Sequence, residues 1–146
     1  MHKEIKNLSE LRQLGEDLAR MSLGPPLCPV FFQGELGVGK TTLIQFLVES
    51  LPGSEEAEVS SPSFNLVNIY PTTPAVAHLD LYRVQDAGEE ESLFEFLSSR
   101  EHLVLVEWID RLPSPYWPQS YIHVHLDFSG QGRQAGIAGH GDCRGD

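Results

Sequence analysis

Gly34-Glu35-Leu36-Gly37-Val38-Gly39-Lys40-Thr41-Thr42 is the stretch that decides how this sequence folds. From Gly34 to Thr41 it satisfies the pattern GxxxxGK[ST] at every position. Glycines let such a loop wrap, so that successive backbone N–H groups point inward at phosphate oxygens. A helix that follows adds the positive end of its dipole. Lys40 then supplies a point charge to the β- and γ-phosphates, and the Thr41 hydroxyl supplies a ligand to Mg²⁺. The pattern carries weight only between a strand and a helix. Both are predicted here. Pro29-Val30-Phe31-Phe32-Gln33 is a short apolar run of the kind buried in a parallel sheet. Residues 41–50 carry Leu43, Phe46 and Leu47 on the inner face of a helix that Pro52-Gly53 ends.

Outward from the loop, Leu8, Leu11, Leu14, Leu18 and Met21 recur at helical steps, with Ser9 as the expected N-cap and Glu10 near the positive end of the dipole. Residues 64–70 and 75–82 are β-type runs separated by Pro71-Thr72-Thr73-Pro74, the signature of a hairpin. Alternation in the second run puts Val76, His78 and Asp80 on one face and Ala77, Leu79 and Leu81 on the other. Helical spacing returns over 88–98 through Leu93, Phe94 and Leu97, and Leu103-Val104-Leu105-Val106 is the most buried-looking strand. Residues 121–128 alternate again, and the glycine-rich end from Gly130 is expected to add one short strand before fraying from about residue 137. The expected architecture is α/β: one P-loop NTPase domain over residues 1–146, with a mixed, partly antiparallel central sheet flanked by helices.

Composition narrows the function. A chain of 146 residues suits one domain. Ten Lys plus Arg against 21 Asp plus Glu give a net charge of −11, which opposes direct, tight binding of nucleic acid. The charged N-terminus is unlike a secretory signal, and no stretch is apolar enough to span a membrane. Cys28 and Cys143 have no partner at a telling spacing, so both are read as free thiols in a reducing, cytoplasmic setting. No NKxD supplies a guanine contact, and the arginines are too scattered for the phosphate-clamping lid of a small-molecule kinase. Hydrolysis or nucleotide-gated binding fits better than phosphate transfer to a metabolite.

Two acids are candidates for the chemistry. Glu107 ends the Leu103–Val106 strand, where a P-loop places the carboxylate for its metal; burial of that charge is costly unless a cation offsets it. Asp80 either orients the attacking water or reaches Mg²⁺ through water, or it is a surface carboxylate paired with Arg83 or another base. His123 and His125 share a strand face, but no third metal ligand has matching spacing.

Four blocks taken together carry a resemblance: GELGVGKTT (34–42), SPSF (61–64), HLDLYR (78–83) and LVEW (105–108). Their order and spacing resemble the TsaE family, also called YjeE, P-loop ATPases of bacterial tRNA threonylcarbamoyladenosine synthesis. The similarity runs from the leading helix to the Gly130–Arg133 turn. It implies a small P-loop fold that binds ATP or ADP with Mg²⁺ and hydrolyses ATP slowly. It also implies the TsaB–TsaD pair as partners, with TsaD as the transferase acting on tRNAs that read ANN codons. By the same resemblance, Leu36, Gly37, Val38, Gly39, Lys40, Thr41 and Thr42 hold the phosphates, with Lys40 central. Thr41 and Glu107 hold Mg²⁺, and Asp80 matches an essential strand acid. Ser61–Phe64 matches a switch-like stretch in which the family more often has Thr at the place of Ser63. Arg133 matches a basic position near the nucleotide. Trp108 is read either as part of the nucleotide site or partner surface, or as an aromatic that covers the strand end. Two functions follow as expectations. One is an ATPase that supports the transferase complex. The other is a binding module whose ATP-bound state, and not hydrolysis, regulates a partner.

Overall fold

Val30-Phe31-Phe32 and Leu103-Val104-Leu105-Val106 are apolar at successive positions because both faces of their strands are covered. The computed structural model of the chain describes residues 1–60, 66–84 and 91–143. The SPSF block with Asn65, residues 85–90 (of which 88–90 open the expected helix), and the closing Arg-Gly-Asp lie outside these. The two apolar runs form β2 (Val30–Gln33) and β5 (His102–Glu107), paired parallel. On the far side of β2 lies β6 (Tyr121–Ser129), and on the far side of β5 lies β4 (Ala75–Asp80), both parallel to their neighbours. Antiparallel strands extend this parallel centre at both edges. One is β3 (Val67–Tyr70) on β4; the others are β7 (Gly132–His140) on β6 and β1 (His2–Ile5) on β7. The order is β1-β7-β6-β2-β5-β4-β3. The sheet is therefore mixed and partly antiparallel, as the sequence implies.

Strand alternation sorts the core into two layers. Val30, Phe32, Leu103 and Leu105 face α1 (Leu8–Ser22) and α2 (Lys40–Glu49), which bring Leu14, Leu18, Leu43 and Leu47. Phe31, Val104, Val106, Ala77 and Leu79 face the other way, onto α3 (Glu91–Leu97) and the 3₁₀ turn at Ile109–Arg111. Gly15 lets α1 and α2 close on each other. A β carbon there would stand 2.8 Å from Phe46 Cβ and 2.9 Å from the Leu47 nitrogen. This close approach outweighs the roughly 1 kcal/mol that glycine costs in a helix interior.

Several expectations are corrected. Asn7, not Ser9, caps α1: its side chain accepts the Glu10 N–H at 2.9 Å, and the Glu10 carboxylate accepts the Lys6 N–H at 3.0 Å. The strand β1 was not anticipated, because His-Lys-Glu-Ile is too short and polar to signal one before its partner β7 is known. The glycine-rich end, expected to fray from about 137, continues as β7 through His140. That longer strand carries Cys143 back to Cys28, with Cα atoms 5.8 Å apart, and the two form a disulfide. The free-thiol reading is overturned, and with it the argument for a reducing compartment. Nothing local in the sequence marks a pairing across 115 residues.

Candidate active site

The chain leaves β2 at Gln33, turns through residues 34–39 and enters α2 at Lys40. Gly39 is the N-cap of α2 with φ 112°, a conformation that L side chains rarely adopt. The first turn of α2 has no acidic side chain, so its positive end is left for an external anion. Val38 is buried, and its carbonyl accepts the Arg133 Nε–H at 2.8 Å. The Arg133 guanidinium lies 4.5 Å from the Phe128 ring centroid. Arg133 therefore braces the loop backbone from β7.

Lys40 is buried with its ammonium 3.8 Å from the centroid of the Trp108 ring, and it donates to the Gly34 carbonyl. Burial pushes the Lys40 pKa down, while the charges of Glu107, Asp80 and Asp110 push it back up. Trp108 has φ 61°, the one positive value at a non-glycine among the described residues. Such a conformation costs about 1–2 kcal/mol, and here it lays the indole over Lys40. The Tyr82 ring is 4.8 Å from Trp108, and the Arg111 guanidinium is 5.5 Å from Tyr82. Trp108 thus lies over Lys40 and lines the cavity beside the loop.

Asp80 and Glu107 are register partners at the ends of β4 and β5. Glu107 is only 3% exposed. Its Oε2 lies 2.8 Å from His78 Nε2, and its Oε1 accepts the Thr41 hydroxyl at 3.4 Å. His78 is fully buried, and its Nδ1 lies 2.8 Å from the Tyr70 hydroxyl. Asp80 is half-buried and accepts the Tyr82 N–H at 3.0 Å. Burial raises the Asp80 pKa, the Tyr82 hydrogen bond opposes that rise, and the neighbouring Glu107 charge adds to it. Among the described residues no ion pair joins Asp80 to Arg83. Sequence reading passed over Tyr70 and His78. The available signal was a histidine on the alternating face that also carries Val76.

Two cavities flank the loop. One, of about 240 Å³, is lined by Leu36, Gly37, Gly39, Lys40, Thr41, Thr42, Asp80, Tyr82, Glu107 and Trp108. It gathers every expected site residue except Val38 and Arg133. Those two line the second cavity, of about 300 Å³, together with Ile5, Leu8 and Leu11. The cavities share Gly37, Gly39 and Thr42. The donor set suits a small hard cation: a hydroxyl and a carboxylate, both oxygen. No group of three or more His, Cys, Asp or Glu among the described residues could hold a metal alone. Mg²⁺ fits such a pair because it takes its remaining ligands from water and phosphate. His123, by contrast, has its Nε2 2.7 Å from the Gln33 side-chain oxygen, and burial lowers its pKa.

The fold and site define a mixed-sheet α/β protein whose glycine-rich loop, between a buried strand and a helix, faces two strand-end acids. Known proteins narrow this further. The family described as threonylcarbamoyl adenosine biosynthesis protein TsaE matches residues 5–135. A Nostoc tRNA threonylcarbamoyladenosine biosynthesis protein TsaE is 36% identical, covering 85% of this chain and 74% of its own. The Aquifex aeolicus protein of the same name is 35% identical, covering 73% and 75%. The crystal structure of Bacillus YdiB superposes with a TM-score of 0.74 over 97% of this chain and 86% of its own, at 20% identity, and so shares the fold. The chain belongs to the TsaE family, with its role in tRNA threonylcarbamoyladenosine biosynthesis.

Proposed function

We propose that the chain is a Mg²⁺-dependent ATPase that serves the threonylcarbamoyl transfer machinery without being the transferase. The observation that carries this reading is the single cavity in which Lys40, Thr41, Asp80 and Glu107 converge at the N-terminus of α2. The triphosphate lies along residues 36–42, whose backbone N–H groups and helix end neutralise it. Lys40 leaves the Gly34 carbonyl for the β- and γ-phosphates. Thr41 and Glu107 hold Mg²⁺, which supplies charge neutralisation at the phosphoryl oxygens. Asp80 accepts a hydrogen bond from the attacking water and aims it; a raised proton affinity suits that task. The adenosine end occupies the second cavity, against Leu8, Leu11 and Arg133.

The partners we assign are the TsaB–TsaD pair, modifying tRNAs that read ANN codons in the cytoplasm. Family membership supports this assignment, and the net charge of −11 favours docking on protein over tRNA. Among the described residues no helix is long and apolar enough to cross a membrane. The test is phosphate release from Mg·ATP by the purified chain, alone and with TsaB–TsaD added. A slow basal rate that changes with the pair is expected. A rate indifferent to the pair overturns the partnership, and absence of release under both conditions overturns the ATPase. Many rounds of tRNA modification with a non-hydrolysable ATP analogue would favour the nucleotide-gated module instead.

A further inference from the structure

Tyr70, His78 and Glu107 form a buried polar file across three strands of the sheet. Register explains the alignment. His78 is the partner of Leu105, two residues before Glu107, and of Asn68, two residues before Tyr70, so all three side chains rise on the α1–α2 face. The buried positions around them on that face include Val30, Phe32, Val76, Leu103 and Leu105. Tyr70, His78 and Glu107 are 3%, 0% and 3% exposed. Polar groups at such depth are costly unless each is hydrogen-bonded, and among the described residues no buried side-chain N or O lacks a partner.

We propose that His78, oriented by Tyr70, is the positioning residue that aims the Glu107 carboxylate toward Thr41 and the metal. The inference rests on the Mg·nucleotide reading above. With Glu107 ionised, the 2.8 Å contact requires a proton on His78 Nε2, which donates to Oε2. In the neutral ring Nδ1 is then an acceptor, and the Tyr70 hydroxyl stands 2.8 Å from it. With its one proton given to Nδ1, the hydroxyl oxygen is left to accept the Ser60 N–H, 3.4 Å away. A carboxylate gripped at one oxygen cannot rotate freely. Its other oxygen, Oε1, is thereby kept on the side of Thr41, at 3.4 Å. Partners of this kind, one bond removed from a metal, typically change metal affinity by about 10–100-fold when removed. Tyr70 and His78 do not line the loop cavity; they act through Glu107.

The experiment is binding of a fluorescent ADP analogue to the full chain, titrated with Mg²⁺ and repeated in EDTA. His78→Asn, which removes the donor at the Nε2 position, is expected to raise the half-saturating Mg²⁺ about tenfold and leave binding in EDTA unchanged. His78→Gln, whose amide nitrogen reaches the Nε2 position, is expected to restore most of that loss. Tyr70→Phe, a milder change that keeps the ring, is expected to raise half-saturation a few-fold, and it carries the test if His78→Asn does not fold. Wild-type Mg²⁺ dependence in folded His78→Asn or in Tyr70→Phe, while Glu107→Gln shifts it, overturns the proposal alone. An unshifted Glu107→Gln overturns the metal-site reading and this inference together.

Discussion

The carboxyl ends of β4 and β5 lie side by side, each ends in an acid, and the two acids are register partners in opposite surroundings. At the β5 end Glu107 is buried, held by His78 on one oxygen and facing Thr41 with the other. At the β4 end Asp80 is half-buried and held by one backbone N–H, and its proton affinity is raised by burial. Under the proposed function, environment alone suits the two carboxylates to different tasks. Glu107 suits a fixed ligand, because its neighbours remove its freedom. Asp80 suits a group that meets a mobile water.

The largest expected effect lies at the element both acids share. Lys40 feels the charge of each, and Lys40→Ala should lower phosphate release by about 10²–10³-fold, the scale for losing a preorganised charge on a transferring group. A rate within threefold of wild type would remove Lys40 from the chemistry. Next comes the comparison itself. Glu107→Gln and Asp80→Asn should each lower turnover by about 10²-fold or more. Only Glu107→Gln should also raise the Mg²⁺ needed for half-maximal nucleotide binding. Identical Mg²⁺ profiles for the two variants would erase the distinction between the strand ends.

Stability offers a second contrast. Glu107→Ala leaves His78 without its acceptor in a buried place and should cost about 1–3 kcal/mol in denaturant unfolding. Asp80→Asn keeps an acceptor for Tyr82 and should raise stability at neutral pH. The carboxyl of Asp80 has a folded pKa above its ordinary 3.8. Between those values the folded state binds more protons than the unfolded, so stability falls as pH rises through that window. The Asn variant lacks this loss. Its advantage should be full above the folded pKa of Asp80 and vanish below pH 3.8, as thermal melts across pH would show. The smallest effect belongs to the loop brace. Arg133→Ala removes the bond to the Val38 carbonyl and should weaken nucleotide binding by about fivefold, equivalent to roughly 1 kcal/mol. No change would mean that the loop holds its shape unaided.

Much of this was legible from residue pattern. The glycine-rich loop, the α1 and α2 faces, the β3–β4 hairpin and the buried β5 follow from spacing, because local sterics and hydrophobic periodicity act within a few residues. The choice of Glu107 and Lys40 also came from the pattern, each at the end of an element already placed, whereas the pattern left Asp80 open and only the family resemblance singled it out. Legibility failed where partners are remote. The strand β1 exists because β7 offers it an edge; Asn7 displaced Ser9 as cap because α1 begins at Leu8, where its apolar stripe also begins, so Ser9 is already inside the helix.

The sequence by itself determined a strand–loop–helix unit with an anion-ready end, two strand-end acids and the alternation that sorts side chains between the two layers. Tertiary structure alone decided the rest. It brought Cys143 to Cys28, Arg133 to the Val38 carbonyl, and Tyr70 and His78 into line with Glu107. These contacts depend on strand order and register, which are set by the packing of the whole sheet and leave no periodic trace in the chain.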